Sequence, residues 1–144
     1  MQVWGITMNW QQLMTKGNDC FNQQAQGYYE GAIEQLDAML LENPKQVEAI
    51  QGWICGYHNL SALHVKTGNV VEAQRCLLIP HQSMMHLIEQ EGLDDDHKLI
   101  AFRATKITLT ALLEFTQDFP ICQSCSDRLM TQYLAVTQPE SRFH

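Results

Sequence analysis

Apolar residues recur along this chain of 144 residues at the three- and four-residue spacing that is typical of amphipathic helices, and no segment shows the two-residue period of a strand. In one stretch, for example, Ile33, Leu36 and Leu40 would share a helix face. The pattern predicts an all-α fold with about six helices in three antiparallel pairs, over residues 9–26, 29–42, 46–66, 70–91, 97–115 and 121–136.

Glycine and proline separate the predicted helices. Gly27 and Gly68 each precede an alanine by five residues, and each is expected to adopt the left-handed conformation that closes a helix. Pro44 should end the second helix, because its ring cannot continue the hydrogen-bond ladder, and Pro80 should kink or break the fourth. Gly17 lies in the middle of the first helix and weakens it by about 1 kcal/mol relative to alanine.

Three stretches follow one helix–turn–helix pattern. In residues 9–44 the matching positions are Gly27, Tyr29, Ala32, Ile33, Leu36 and Pro44. In residues 45–91 they are Tyr57, Leu60, Gly68, Glu72, Ala73 and Leu77. Residues 95–137 are degenerate, because Gln117 and Cys122 stand where the pattern has glycine and alanine. On these residues the chain resembles the tetratricopeptide repeat (TPR) family. We interpret residues 1–144 as a single domain with a divergent TPR-like superhelical array; a generic six-helix bundle is the alternative.

The resemblance implies a non-enzymatic adaptor or small chaperone, because arrays of this family bind proteins or peptides on their concave face. On the concave face the resemblance places nine residues as candidates for partner binding: Met14, Phe21, Gln24, His58, Asn59, Ala62, Lys66, Arg103 and Lys106. Apolar anchors together with amides suit an extended peptide or an amphipathic helix. A structural subunit that forms a permanent homo-oligomer is the alternative function.

Composition narrows the classes of partner. Apolar residues make up 45% of the chain, which indicates a globular protein, and the formal net charge is −7. An acidic chain without a basic stripe is not expected to bind nucleic acid, and it favours a basic or amphipathic protein partner. No window is long and apolar enough for a membrane span, and residues 1–8 lack the features of a signal peptide. We therefore expect a cytoplasmic protein.

The five cysteines suggest little chemistry of their own. They are odd in number and irregularly spaced, and most fall on predicted apolar helix faces. Cys122 and Cys125 form a Cys-x-x-Cys pair, but a redox role would need a βαβ setting. With Cys55 and His58 this pair would give a Cys₃His zinc set, yet the third and sixth helices of a stacked array are not neighbours. We expect no catalytic residue, metal or cofactor; a metal or redox protein using Cys122 and Cys125 is a third alternative.

Overall fold

The computed structural model describes residues 2–3, 6–20, 23–121 and 123–137. Six helices account for most of this part of the chain: α1 (Trp10–Asn18), α2 (Gln23–Glu42), α3 (Val47–Lys66), α4 (Val70–Glu89), α5 (Asp95–Asp118) and α6 (Gln123–Thr137). Two short strands precede them, β1 (Gln2–Val3) and β2 (Ile6–Thr7), and they pair antiparallel. The prediction of six helices is confirmed. None of the described helices is both long and apolar enough to cross a membrane.

The chain divides into two compact units, Met1–Cys76 and Leu77–His144, so that α4 begins in the first unit and ends in the second. In the first unit α1 packs on α2 and α2 packs on α3. In the second unit α5 packs on α6.

The predicted helix break at Gly27 is wrong. The first turn of this unit comes earlier, because α1 ends at Asn18, where the backbone N–H of Asp19 donates to the Thr15 carbonyl at 3.1 Å. Helix α2 then runs through Gly27, after a first turn that contains glutamine and alanine. Glycine permits the left-handed conformation but does not require it, and here the buried residues Ala25, Tyr29 and Ala32 continue one helix face across Gly27. The glycine turn shared by two stretches is therefore absent from the first of them.

The predicted turn at Gly68 is confirmed. Gly68 has a φ of 81°, and its N–H donates to the Val65 carbonyl at 3.1 Å while the N–H of Asn69 donates to the His64 carbonyl at 2.8 Å. This is the Schellman arrangement that satisfies the last carbonyls of a helix. Asn69 also begins α4, because its Oδ1 accepts from the N–H of Glu72 at 3.4 Å. The end of α3 and the start of α4 are thus tightly joined.

We expect Gly68→Ala to lower the free energy of unfolding of the first unit by about 1 kcal/mol, because alanine resists a positive φ. A Cβ at this position would meet no atom within 4 Å, so the cost is one of backbone conformation alone. Urea unfolding followed by tryptophan fluorescence measures it, since all tryptophans precede residue 77. Gly68→Asn is the matched control and should lose less, because asparagine tolerates this conformation. An equal loss in both variants would contradict the explanation.

Pro44 and Pro80 affect their helices differently. Helix α2 ends two residues before Pro44, as predicted. Pro80, in contrast, lies buried inside α4, which continues to Glu89, so the helix is not broken there. A proline lacks the N–H that would bond the carbonyl of Cys76. The kink at this position stays a prediction.

The core of the first unit depends on glycines in α3. A Cβ at Gly52 would stand 2.6 Å from the Trp10 ring, and a Cβ at Gly56 would stand 2.8 Å from Cγ1 of Ile33. The two glycines are four residues apart, so they open one face of α3 to side chains from both α1 and α2. This core also contains three fully buried residues, Leu13, Ala32 and Leu36.

The second unit has an apolar cluster of Leu77, Phe102, Leu109, Leu112 and Leu129. Helix α5 begins two residues before its predicted start, and the Asp94 carboxylate caps it by accepting from the N–H of His97 at 2.8 Å. A buried histidine, His81, adjoins polar groups of α5 and α6: its Nδ1 lies 3.0 Å from Oγ1 of Thr108, and its Nε2 lies 2.9 Å from Oε1 of Gln132.

Candidate functional site

The first unit contains a cavity of about 530 Å³ between α2, α3 and the first turns of α4. Four carboxylates line it, those of Glu30, Glu34, Asp37 and Glu72. Three of them come from α2 at spacings of four and three residues, which places them on one helix face. We call this space the acidic cavity.

One arginine partly offsets the negative charge of the acidic cavity. The Nε of Arg75 donates to Oε1 of Glu72 at 2.7 Å, and an Nη of the same guanidinium contacts the same oxygen. This hydrogen bond holds the pKa of Glu72 below its usual value, with the charge of the guanidinium adding to the effect. No ion pair within the described residues neutralises Glu30, Glu34 or Asp37, so the cavity keeps a negative excess.

Aromatic residues of α3 hold one of the carboxylates in place. The indole Nε1–H of Trp53 donates to Oδ1 of Asp37 at 2.7 Å. The Tyr57 ring meets Trp53 edge to face, with centroids 5.2 Å apart and an interplanar angle of 81°. Burial raises the pKa of the Tyr57 hydroxyl, and the negative charge of Asp37 raises it further, so the phenol stays neutral beside the carboxylates.

A second, smaller space of about 140 Å³ contains part of the partner-binding set that the sequence analysis named. Asn59, Ala62 and Lys66 of α3 line it together with Asn18 and Tyr29. The Asn59 amide donates to Oδ1 of Asn18 at 3.4 Å, and the Tyr29 hydroxyl donates to the same oxygen at 2.7 Å. We call this space the amide groove.

The other residues of that set are not brought together. Gln24 is exposed on α2, and Met14 is half-buried beside Gly56. His58 is half-buried; its Nε2 is enclosed without a hydrogen-bond partner among the described residues, and burial lowers its pKa. Phe21 lies outside the described residues.

Arg103 and Lys106 are exposed on α5, in the second unit. The ammonium of Lys106 lies 5.6 Å from the centre of the Phe102 ring. These two cations therefore belong to a different unit from the acidic cavity and the amide groove, and their part in partner binding stays a prediction.

The cysteines differ in exposure. Cys76 is buried, and burial raises the pKa of its thiol; Cys20 and Cys125 are half-buried. Cys55 of α3 is exposed. Cys122 lies outside the described residues, and the Cys122–Cys125 pair stays untested.

Among the described residues, the fold brings together one group of potential metal ligands that the sequence analysis missed. Ligand atoms of His64, Glu72 and Cys76 all lie within 4.8 Å of one another, at the α3–α4 end of the acidic cavity. The four-residue spacing of Glu72 and Cys76 was a visible signal. The position of His64 opposite these two residues was not visible in the sequence, because it depends on how α4 lies against α3 after the turn at Gly68.

Comparison with known proteins gives a family without a described activity. Residues 8–144 match the model of a family described as "Protein of unknown function (DUF2753)". No curated protein matches the chain, and no solved structure does.

Proposed function

The chain belongs to the DUF2753 family, and we propose that it is a non-enzymatic protein-binding adaptor or small chaperone whose acidic cavity takes a basic segment of the partner. The single observation that carries the proposal is the cavity of about 530 Å³ with four carboxylates and one arginine. Because carboxylates are costly to place together without a counter-charge, such a lining favours a cationic ligand.

The chemistry of the acidic cavity suits a lysine or arginine side chain of a peptide. Glu30, Glu34 and Asp37 offer oxygen acceptors at successive turns of α2, so that a cation can be held by more than one carboxylate. Tyr57 adds an aromatic ring at the wall, where the methylene stem of a long cationic side chain can pack. The net charge of −7 would also speed the approach of a basic partner.

The finer proposal is a TPR-like array in which helix pairs present the partner-binding faces. Packing of α1 on α2, of α2 on α3 and of α5 on α6 supports it. The amide groove, with Asn59, Ala62 and Lys66, supports a second contact region in the first unit for the backbone of a bound peptide.

Binding of labelled lysine- and arginine-rich peptides, measured by fluorescence anisotropy, tests the proposal. We expect the double variant Glu30→Gln/Glu34→Gln to weaken binding about tenfold, since each partly exposed ion pair contributes up to about 1 kcal/mol. Glu42→Gln/Glu48→Gln is the matched control: it removes the same charge from α2 and α3 at exposed positions outside the cavity. It should weaken binding less than twofold.

Two results would overturn this assignment. An equal loss in both double variants would mean that the peptides respond only to the overall charge. If no basic peptide binds even at low salt, where surface electrostatic interactions are strongest, the proposal that the acidic cavity binds a cationic ligand is wrong.

A permanent oligomer is the second candidate function, and exposed apolar side chains favour it. Met130 and Leu134 are about half exposed and lie four residues apart on α6. Sedimentation velocity separates the two functions. An oligomer whose size does not change on dilution supports the structural subunit, and a monomer supports the adaptor.

A further inference from the structure

Three side chains with different ligand atoms converge at the α3–α4 end of the acidic cavity. His64 lies in the last turn of α3, and Glu72 and Cys76 lie four residues apart on α4, so that both face the same side of that helix. One ligand atom of each residue lies within 4.8 Å of the other two. We propose that His64, Glu72 and Cys76 bind a zinc ion.

The backbone around these residues is held in place by hydrogen bonds. The buried hydroxyl of Ser61, one turn before His64, donates to the carbonyl of Ala73 at 2.8 Å and so fixes the distance between α3 and α4. Asn69 bonds the carbonyl of His64 itself at 2.8 Å. Zinc bonds of about 2.0 Å to nitrogen or oxygen and about 2.3 Å to sulfur put tetrahedral ligand atoms about 3.3–3.5 Å apart when one of them is sulfur. Side-chain movements of about 1 Å are therefore sufficient, and the helices need not move.

The kinds of ligand select the metal. Thiolate, imidazole and carboxylate are the three ligand types of zinc sites, whereas calcium and magnesium prefer oxygen alone. Three protein ligands leave a fourth position for water from the cavity. Arg75 bonds Oε1 of Glu72, which leaves Oε2 for the metal and gives the ligating carboxylate a hydrogen-bonded support.

Binding of zinc releases one proton, because the Cys76 thiol forms its bond to the metal as a thiolate: the S–H bond breaks, the S–Zn bond forms and the proton passes to solvent. Because a proton is released, the affinity should increase with pH. The charged and titratable groups that face the thiol are Glu30, Tyr57, His64, Glu72 and Arg75.

Isothermal titration of the full-length, chelator-treated protein with zinc tests the site. We expect one zinc per chain with a dissociation constant on the order of micromolar or tighter. Cys76→Ala should weaken zinc binding about 100-fold or more, and His64→Gln should do the same. Because His64 is half-exposed, its substitution is less of a risk to folding than that of the buried Cys76. Cys55→Ala is the matched control, since it removes an exposed thiol of the same unit and should leave the affinity unchanged.

Cobalt(II) provides a second measurement that does not depend on affinity. The wild-type protein with cobalt should show a thiolate-to-metal charge-transfer band in the near ultraviolet, and Cys76→Ala should lose it while Cys55→Ala keeps it. Wild-type protein that binds zinc no better than millimolar overturns the proposal. So does zinc binding or a cobalt band that survives both Cys76→Ala and His64→Gln. Neither result bears on the peptide binding measured with Glu30→Gln/Glu34→Gln, which leaves all three ligands in place.

Discussion

Gly17→Val is expected to lower the free energy of unfolding of the first unit by about 3 kcal/mol, although a glycine inside a helix is ordinarily a weakness. A Cβ at this position would stand 2.5 Å from Cε1 and 2.7 Å from Cδ1 of Tyr29. The Tyr29 ring cannot move aside easily, because it is buried and its hydroxyl donates to Oδ1 of Asn18 at 2.7 Å. Even Gly17→Ala should destabilise, since overpacking outweighs its gain of about 1 kcal/mol in helix propensity.

Urea unfolding followed by tryptophan fluorescence measures this effect in the first unit. A double-mutant cycle with Tyr29→Leu shows whether the ring is the cause, because a smaller side chain leaves room for the new methyl groups. Gly17→Val should then cost at least 1 kcal/mol less in the Tyr29→Leu background than in the wild type. Equal costs in the two backgrounds would show that Gly17 is constrained by something other than Tyr29.

Gly17 and Gly27 show what the sequence could and could not predict about the fold. Helical periodicity and local end signals predicted six helices, the turn at Gly68 and the end of α2 before Pro44, because each of these depends on nearby residues. The sequence predicted a turn at Gly27 and only a weakened helix at Gly17, and the structure differs at both positions. Gly17 is required by a ring from the next helix, whereas Gly27 continues α2. A close approach between helices is a property of packing, which one sequence does not reveal.

The candidate site was predictable only in part, for the same reason. The sequence shows that Glu30, Glu34 and Asp37 would share a face of α2, which by itself is typical of a solvated surface. That face lines a cavity because α3 and the start of α4 form the other walls. Asn59, Ala62 and Lys66 were predicted from the family resemblance and do line one groove, since they share a face of α3. Their role in binding a partner stays a prediction.

His81→Leu is expected to lower the stability of the second unit by about 2 kcal/mol at pH 7.5, because leucine has a similar volume but makes neither the buried hydrogen bond to Thr108 nor the partly buried one to Gln132. Gln132 Oε1 can only accept, so the Nε2 of His81 carries the proton of the neutral ring and Nδ1 is left as an acceptor. The Thr108 hydroxyl lies within reach of this Nδ1, at 3.0 Å, and of the Thr105 carbonyl, at 3.1 Å. The substitution therefore leaves the Gln132 carbonyl oxygen without its donor, whereas the Thr108 hydroxyl keeps the Thr105 carbonyl as acceptor.

The same substitution should also change the pH dependence of stability. Burial lowers the pKa of His81 below the usual histidine value of about 6.5, although the hydrogen bond to Gln132 partly opposes this. Above about pH 7.5 the imidazole is essentially neutral in both states and adds no pH dependence. As the pH falls below about 7.5, the unfolded chain binds a proton that the folded chain resists, so the free energy of unfolding decreases until the pH lies below the lower folded pKa. His81→Leu should flatten this decrease.

Native-state amide hydrogen exchange, read residue by residue over 77–137 at pH 7.5 and pH 5.5, measures both effects in the second unit, which contains no tryptophan. His86→Gln is the matched control, because His86 is exposed on the same helix. His86→Gln should lose as much stability between pH 7.5 and pH 5.5 as the wild type does. His81→Leu should have a lower free energy of unfolding at pH 7.5 and should lose less of it on going to pH 5.5. His58, whose pKa burial also lowers, acts in the first unit and should affect the exchange of residues 10–76 instead. A wild-type pH dependence that persists in His81→Leu would mean that another group of the second unit binds the proton.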